Sequence, residues 1–159
     1  MKNDPYIPDA VRPISQERLC RLFDNQGWFW HIDDDGDLAG NWDDNAFYFR
    51  FSGEQKEVLS ILSFMRLTVP EEREEELEIL IEDWHRERLW PKAYFRRNED
   101  GSLRVMGEVN ADYEFGATDA QLLQQCQCAL STTLQLFAHV AGRFELSDPE
   151  KGQEETAAE

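Results

Sequence analysis

Residues 58–69 constrain the fold more than any other part of the sequence. Their apolar side chains occupy both sets of alternate positions, with Leu59 and Ile61 on one face and Leu62 and Phe64 on the other. A strand that is apolar on both faces is typical of the middle of a sheet that is covered on two sides. We therefore predict that this segment is a central strand with a layer of structure on each face.

Hydrophobic periodicity predicts three helices and four further strands around this segment. The helices are predicted over residues 15–26, 71–88 and 118–140, with Ser15 and Thr118 as N-caps, and the strands over 28–32, 47–51, Lys92–Arg97 and 102–113. Polar turns are expected at 33–37 and 41–45, where Asp, Asn and Gly tolerate tight backbone geometry. The order α-β-β-β-α-β-β-α, with hairpins joining most strands, indicates an α+β fold.

Composition along the chain predicts one domain between two loose ends. Residues 1–14 are polar and interrupted by three prolines, which is typical of a flexible arm. Residues 147–159 are acidic and hold no large apolar side chain, so we expect a disordered tail. The length between them, residues 15–146, is sufficient for a single hydrophobic core.

The sequence is strongly acidic, with 33 acidic and 16 basic residues and a net charge of −17. Nucleic acids and anionic membrane surfaces bind basic surfaces, so we expect neither as the main partner. The acidity either keeps the protein soluble or attracts a basic partner, and composition alone leaves both explanations open.

Cysteine content and the apolar segments predict a cytoplasmic protein. Cys20, Cys126 and Cys128 are odd in number, which favours a reducing compartment over a disulfide framework. The first residues lack the apolar core of a signal peptide. Residues 120–141 contain too many Gln, Ser and Thr to span a membrane.

Known catalytic and metal-binding patterns do not fit this sequence. The acidic turn 33–37 fails the spacing of a calcium-binding loop, because Gly and the final Glu cannot both be placed. Cys126 and Cys128 would point about 200° apart on a helix, so they cannot hold one zinc ion. No phosphate loop, nucleophile elbow or H-E-x-x-H pattern is present. We predict a protein that is not an enzyme and that uses no metal or cofactor.

Residues 86–104 hold six basic and three acidic residues within an otherwise acidic chain. Trp, Tyr and Arg concentrate binding energy at protein interfaces, so this segment is a candidate docking face for another protein. Its proposed contact residues are Arg86, Arg88, Trp90, Lys92, Tyr94 and Arg96. Pairing within the chain, such as Glu82 with Arg86, is the alternative explanation. A second functional hypothesis is a sensor of a small ligand or metal ion, built on the turn 33–37 and the nearby Trp28, Trp30 and Trp42.

The same segment resembles a known family. Residues 83–94 read Asp-Trp-His-Arg-Glu-Arg-Leu-Trp-Pro-Lys-Ala-Tyr and are similar to the signature of the YbjN family of bacterial proteins. The acidic turn followed by Trp42, and Gly116-Ala117-Thr118 with Gln121-Leu122, extend the resemblance over roughly residues 15–145. His85 stands where many members have Asn.

The resemblance implies a fold like that of the type III secretion chaperones, with a twisted antiparallel sheet. It also implies a sensory transduction or stress regulator without established enzymatic activity. Chaperones of that fold are acidic homodimers that hold unfolded segments of partner proteins. By this analogy we expect a protein-binding or chaperone-like module, and a homodimer is one possible assembly.

Overall fold

Six antiparallel strands form one sheet in the order β1-β2-β3-β4-β6-β5 in the computed structural model, which describes residues 10–148. The strands are β1 His31–Ile32, β2 Leu38–Trp42, β3 Asn45–Ser52, β4 Val58–Phe64, β5 Lys92–Arg97 and β6 Leu103–Asp112. The helices are α1 Gln16–Gln26, α2 Glu74–Glu87 and α3 Asp119–Arg143, and a short 3-10 turn, Glu71–Arg73, leads into α2. The predicted α+β class is confirmed.

Local signals begin and end the helices where the sequence placed them. The Ser15 side chain accepts the Arg18 N–H at 3.2 Å, and Gly27 ends α1 in the left-handed region with φ of 69°. Thr118 and Gln121 form a reciprocal capping box at the start of α3. These caps pair backbone groups that a helix end would otherwise leave without a partner.

Two apolar clusters join the helices to the same face of the sheet. In the first, Leu19 and Phe23 of α1 contact the β3 and β4 residues Phe49 and Ile61. In the second, α2 packs on β5 and β6. The 25-residue helix α3 crosses the sheet and supplies residues to both clusters. Burial of these large side chains, each worth about 1.5–3 kcal/mol, holds the layers together.

The sheet has one strand more than the sequence predicted. The predicted strand 28–32 begins only at His31, and β2 follows it as an unpredicted strand. Its Leu-Ala-Gly opening has little intrinsic preference for a strand. Gly40 fits because the Trp42 ring lies 2.6 Å from the position that a Cβ atom would occupy. The predicted turn 41–45 is correspondingly reduced to Asp43 and Asp44, both with positive φ.

The chain before α1 is anchored where it is described. Arg12 and Ala117 exchange two backbone hydrogen bonds, of 3.2 and 2.9 Å, and Ile14 lies in the first cluster. This corrects the prediction of a flexible arm for residues 12–14, while residues 1–9 lie outside the described residues. Of the predicted tail 147–159, only Ser147 and Asp148 are described, and Asp148 forms an ion pair with Arg66.

Within residues 10–148, no helix has the length and apolar character needed to cross a membrane.

Candidate docking site

The sheet has one face on which none of the described helices packs. In β4, Leu59 and Ile61 belong to the helix-covered cluster, whereas Leu62 and Phe64 belong to neither cluster and are half-buried. β4 is therefore central, as predicted, but the described residues cover only one of its faces. We call the other surface the open face; its residues include Tyr48, Arg50, Leu62, Phe64, Lys92, Tyr94, Arg96, Arg104, Met106 and Glu108.

The centre of the open face is apolar. Strand register places Phe64, Met106 and Tyr94 side by side on β4, β6 and β5. The rings of Tyr48 and Phe64 meet edge to face, with centroids 5.6 Å apart. Neighbouring side chains leave Met106 only 1% exposed. This arrangement provides a broad aromatic surface for contact with another molecule.

Basic side chains surround this centre, and two of them make no ion pair among the described residues. Arg50 forms an ion pair of 2.7 Å with Asp37, and Lys92 forms one of 3.1 Å with Glu108. Arg96 and Arg104 lie directly opposite each other on β5 and β6. Within residues 10–148 neither makes an ion pair, and like charges in this position repel. An acidic group of a partner would relieve that repulsion.

Tyr94 and Glu108 are the titratable pair of the open face. Burial and the hydrogen bond to Glu108 raise the pKa of Tyr94 to about 12. Burial acts to raise the pKa of Glu108, but hydrogen bonds from Asn110, Tyr94 and Lys92 outweigh it, and the net pKa is lowered. At neutral pH the phenol is therefore neutral and the carboxylate charged. The pair is suited to fixing side-chain positions and lacks the poised acid or base of a catalytic site.

The acidic turn borders the open face and closes upon itself. The Asp33 carboxylate accepts the backbone N–H groups of Asp35 and Asp37 at 3.0 and 2.8 Å. Asp33 and Asp35 also line one side of a depression of about 260 Å³, which Tyr48 and Arg104 line as well. Among the residues that the structure describes, no group of three or more His, Cys, Asp or Glu side chains could hold a metal ion.

The tryptophans near this turn serve mainly the core. Trp28 and Trp42 lie edge to face at 5.8 Å, and both contact Phe23 beneath α1. The indole N–H of Trp30 donates to Asp24 at 2.8 Å. A ligand that contacts these rings would therefore have to bind on the helix-covered side of the sheet.

The six predicted contact residues do not form one surface. Lys92, Tyr94 and Arg96 lie on the open face. Arg86 and Arg88 belong to the end of α2, where Arg86 pairs with Glu82, the alternative that the sequence left open. Arg88 lies over the Trp84 ring at 5.3 Å. The signature segment thus passes from the helix layer to the opposite face of the sheet.

Trp90 lies at a third location. It is 48% exposed and borders a depression of about 350 Å³ with Tyr113 and the α3 residues Gln124 and Cys128. Pro91 then packs beside Gly107 on the helix-covered face. Trp90 therefore presents its ring on the side of α3, away from Tyr94.

Sequence reasoning missed Tyr48, Phe64 and Arg104 as candidate site residues. The alternation in 47–51 and 102–113 does place Tyr48 and Arg104 on the outward side of their strands. They were overlooked because an apolar central strand was expected to be covered twice. His85 has a role that the resemblance did not suggest, since its Nε2 accepts the Ala93 N–H at 2.9 Å.

Comparisons with known proteins place this geometry in a family. The YbjN family model, described as "Putative bacterial sensory transduction regulator", matches residues 15–142. The crystal structure of YbjN from E. coli, described as a putative transcription regulator, is similar with a TM-score of 0.72 and 12% identity. That match covers 88% of this chain and 100% of the other.

A second solved structure, an uncharacterized protein from Methanothermobacter thermautotrophicus, has a TM-score of 0.58 and 14% identity. It covers 82% of this chain and 99% of that one. No curated protein matches the sequence. At these identities the structural matches show a shared fold.

Proposed function

The chain belongs to the YbjN family, as the sequence resemblance predicted, and we propose that it is a non-enzymatic regulator that acts by binding another protein. The observation that carries this proposal is the open face, an apolar centre with two arginines that make no ion pair among the described residues. In a chaperone-like version of the same proposal, this surface holds an unfolded segment of the partner. The three cysteines are free, which fits a cytoplasmic location.

The composition of the open face supports protein binding. Antiparallel sheets that face water usually carry polar residues on the outer side, whereas here Leu62, Phe64 and Met106 occupy it. Tyr, Phe, Met and Arg are enriched at protein interfaces, and the few residues that dominate binding each contribute about 2 kcal/mol or more. Tyr48, Tyr94 and Arg104 complete that set of residue types.

Site-specific photo-crosslinking in cells tests the proposal. A photoreactive phenylalanine analogue at Leu62 lies on the open face, and one at Gln127 lies on the exposed side of α3 as a matched control. We expect discrete adducts from position 62 that are absent from position 127. A Tyr48→Ser/Phe64→Ser variant that keeps its melting temperature should lose them. Equal adducts from both positions would contradict the proposal.

The small-ligand hypothesis retains one supporting observation, the depression of about 260 Å³ between the acidic turn and Arg104. It is the weaker candidate, because Asp33 and Asp37 already hold backbone and Arg50 groups. Calcium or zinc titration followed by melting temperature tests the metal version. An unchanged melting temperature at millimolar ion rejects it.

A further inference from the structure

β5 is an edge strand with backbone groups directed outward. It lies at the end of the strand order, and within residues 10–148 no other strand pairs with its outer side. The Ala93 N–H donates to His85 of α2, so it points away from β6. Backbone direction alternates along an antiparallel strand, and the N–H and C=O groups of Phe95 therefore also point outward. His85 occupies only one position of this edge.

A groove runs between this edge and α2. Its volume is about 340 Å³, and Ile81, Ala93 and Phe95 provide apolar lining. Glu78 and Glu82 of α2 lie along its helix side. Glu82 pairs with Arg86, while Glu78 makes no ion pair within the described part of the chain. The groove thus combines an unpaired strand edge, an apolar floor and an acidic border.

We propose that this groove binds an extended segment of a partner protein, which adds to β5 as a seventh strand. Hydrogen bonds to the Phe95 backbone would hold the segment, and alternate side chains would supply specificity. Side chains toward α2 would be apolar or basic, to contact Ile81 and pair with Glu78. Those on the opposite side, next to Arg96, would be acidic. The inference rests on the proposed protein-binding function and names the chemistry of the partner.

Charge argues against a second copy of the chain as the occupant. Two copies paired edge to edge would bring their Glu78 and Glu82 borders together. The nearby Arg97 cannot neutralise them, because Glu71 and Glu74 of its own chain already hold it. Lys92 and Arg96 also place positive charge along the edge, a common protection against self-pairing of strands. A partner segment with basic residues on one side and acidic residues on the other would complement both the glutamates of α2 and the positive charge along the edge.

A designed peptide provides the probe. The peptide has eight residues, with glutamate at the odd positions and lysine or valine at the even positions. It carries a fluorescent label, so that its binding to the protein can be measured by fluorescence anisotropy. We expect binding at least tenfold tighter than that of a peptide of the same composition with the alternation scrambled. The bound peptide would have two edges, and its amide N–H groups point alternately to one edge and the other. N-methylation of the amides on the edge that faces β5 should weaken binding at least tenfold, because those amides hydrogen-bond to β5. N-methylation of the amides on the other edge should leave binding unchanged. Amide exchange at Phe95 should slow when the peptide is bound.

Matched variants separate this site from the open face. Glu78→Lys should weaken peptide binding about tenfold, whereas Glu72→Lys, exposed on the 3-10 turn, should leave it unchanged. Equal binding of both peptides, or no effect of N-methylation, overturns the inference. A concentration-dependent dimer that Glu78→Lys strengthens also overturns it, since a second copy would then occupy the edge. If the otherwise unchanged protein forms no discrete adducts from position 62 and still binds the peptide, the open face is rejected and the groove remains.

Discussion

Tyr94 on β5 donates a hydrogen bond of 2.8 Å to Oε2 of Glu108, diagonally across the ladder to β6. The other oxygen of that carboxylate accepts from Lys92 at 3.1 Å and from Asn110 at 2.7 Å. One carboxylate thereby holds three side chains of the open face. The proposed docking surface is consequently ordered before any partner arrives, which lowers the entropy lost on binding.

This pair predicts opposite dependences of stability on pH. The folded pKa of Tyr94, about 12, lies above the ordinary pKa of 10 for a tyrosine, so its contribution to stability is complete below pH 10 and disappears as pH rises toward 12. The folded pKa of Glu108 is lowered, so its contribution is present above the unfolded pKa and disappears as pH falls through the folded one.

Tyr94→Phe tests the alkaline side. At neutral pH the variant should lose about 0.5–1.5 kcal/mol of unfolding free energy, the usual value of one hydrogen bond. Ultraviolet titration should lose the phenol step near 12, and Tyr48→Phe should retain it. Wild-type and variant stabilities should converge as pH rises above 10. A difference that stays constant to pH 12 would contradict the assigned pKa.

Two glycines should respond to alanine substitution in opposite directions. A Cβ atom on Gly107 would lie 2.8 Å from Thr133 Cγ2 and 3.2 Å from Pro91 Cγ, so Gly107→Ala should cost about 1–3 kcal/mol of unfolding free energy. A Cβ atom on Gly142, within α3, meets nothing within 4 Å. Gly142→Ala should therefore add about 0.5–1 kcal/mol. Urea unfolding followed by tryptophan fluorescence measures both, and effects of the same sign would be inconsistent with this packing.

Local sequence signals predicted the helices well because their causes are local. Ser15, Gly27 and Thr118 act through hydrogen bonds or backbone conformations within a few residues. β2 escaped prediction because its cause is distant in the sequence: it exists through its pairing with β3. The close approach of the Trp42 ring to Gly40 is likewise a property of the folded strand.

The candidate sites depend on tertiary facts that periodicity does not contain. Alternation assigns Tyr48, Phe64 and Arg104 to one face of their strands, but only the path of α1, α2 and α3 determines which face is covered. Among the contact residues predicted from the segment 86–104, three lie on the open face: Lys92, Tyr94 and Arg96. The prediction grouped them with Trp90 because neighbours in sequence were assumed to share a surface. β5 lies at the edge because β6, and not β5, pairs with β4. The order of the elements along the chain does not determine which of these two strands pairs with β4.

Arg18 should be among the most sensitive charged residues. Its buried guanidinium donates to Asp119 at 2.8 Å and to the carbonyls of Arg12, Pro13 and Ala117 at 2.7–2.9 Å. Lysine cannot reproduce this fork of donors. Arg18→Lys keeps the positive charge but leaves several of these carbonyls without a donor, so it should cost about 2–4 kcal/mol of unfolding free energy.

The control for this prediction is Arg21→Lys, because within residues 10–148 the one ion pair of Arg21 is an exposed contact of 3.5 Å with Glu17. Its cost should stay below about 0.5 kcal/mol. Urea unfolding gives both values. Amide exchange at Arg12 should accelerate in Arg18→Lys alone; equal losses in the two variants would refute the anchoring role.

Cys126 should be protected from thiol reagents in the native state. It lies fully buried in the first apolar cluster, and burial raises its pKa to about 12, so at pH 8 on the order of one thiol in ten thousand is ionised. Cys20 and Cys128 are only half-buried, although burial raises their pKa values too. Because the thiolate is the reacting species, two thiols should react with a maleimide in native protein. The third should react only in urea. Cys126→Ala should abolish the reaction that requires urea, while Cys128→Ala should remove one of the two thiols that react in the native protein. Equal reaction rates of all three thiols in the native protein would contradict the packing of α3.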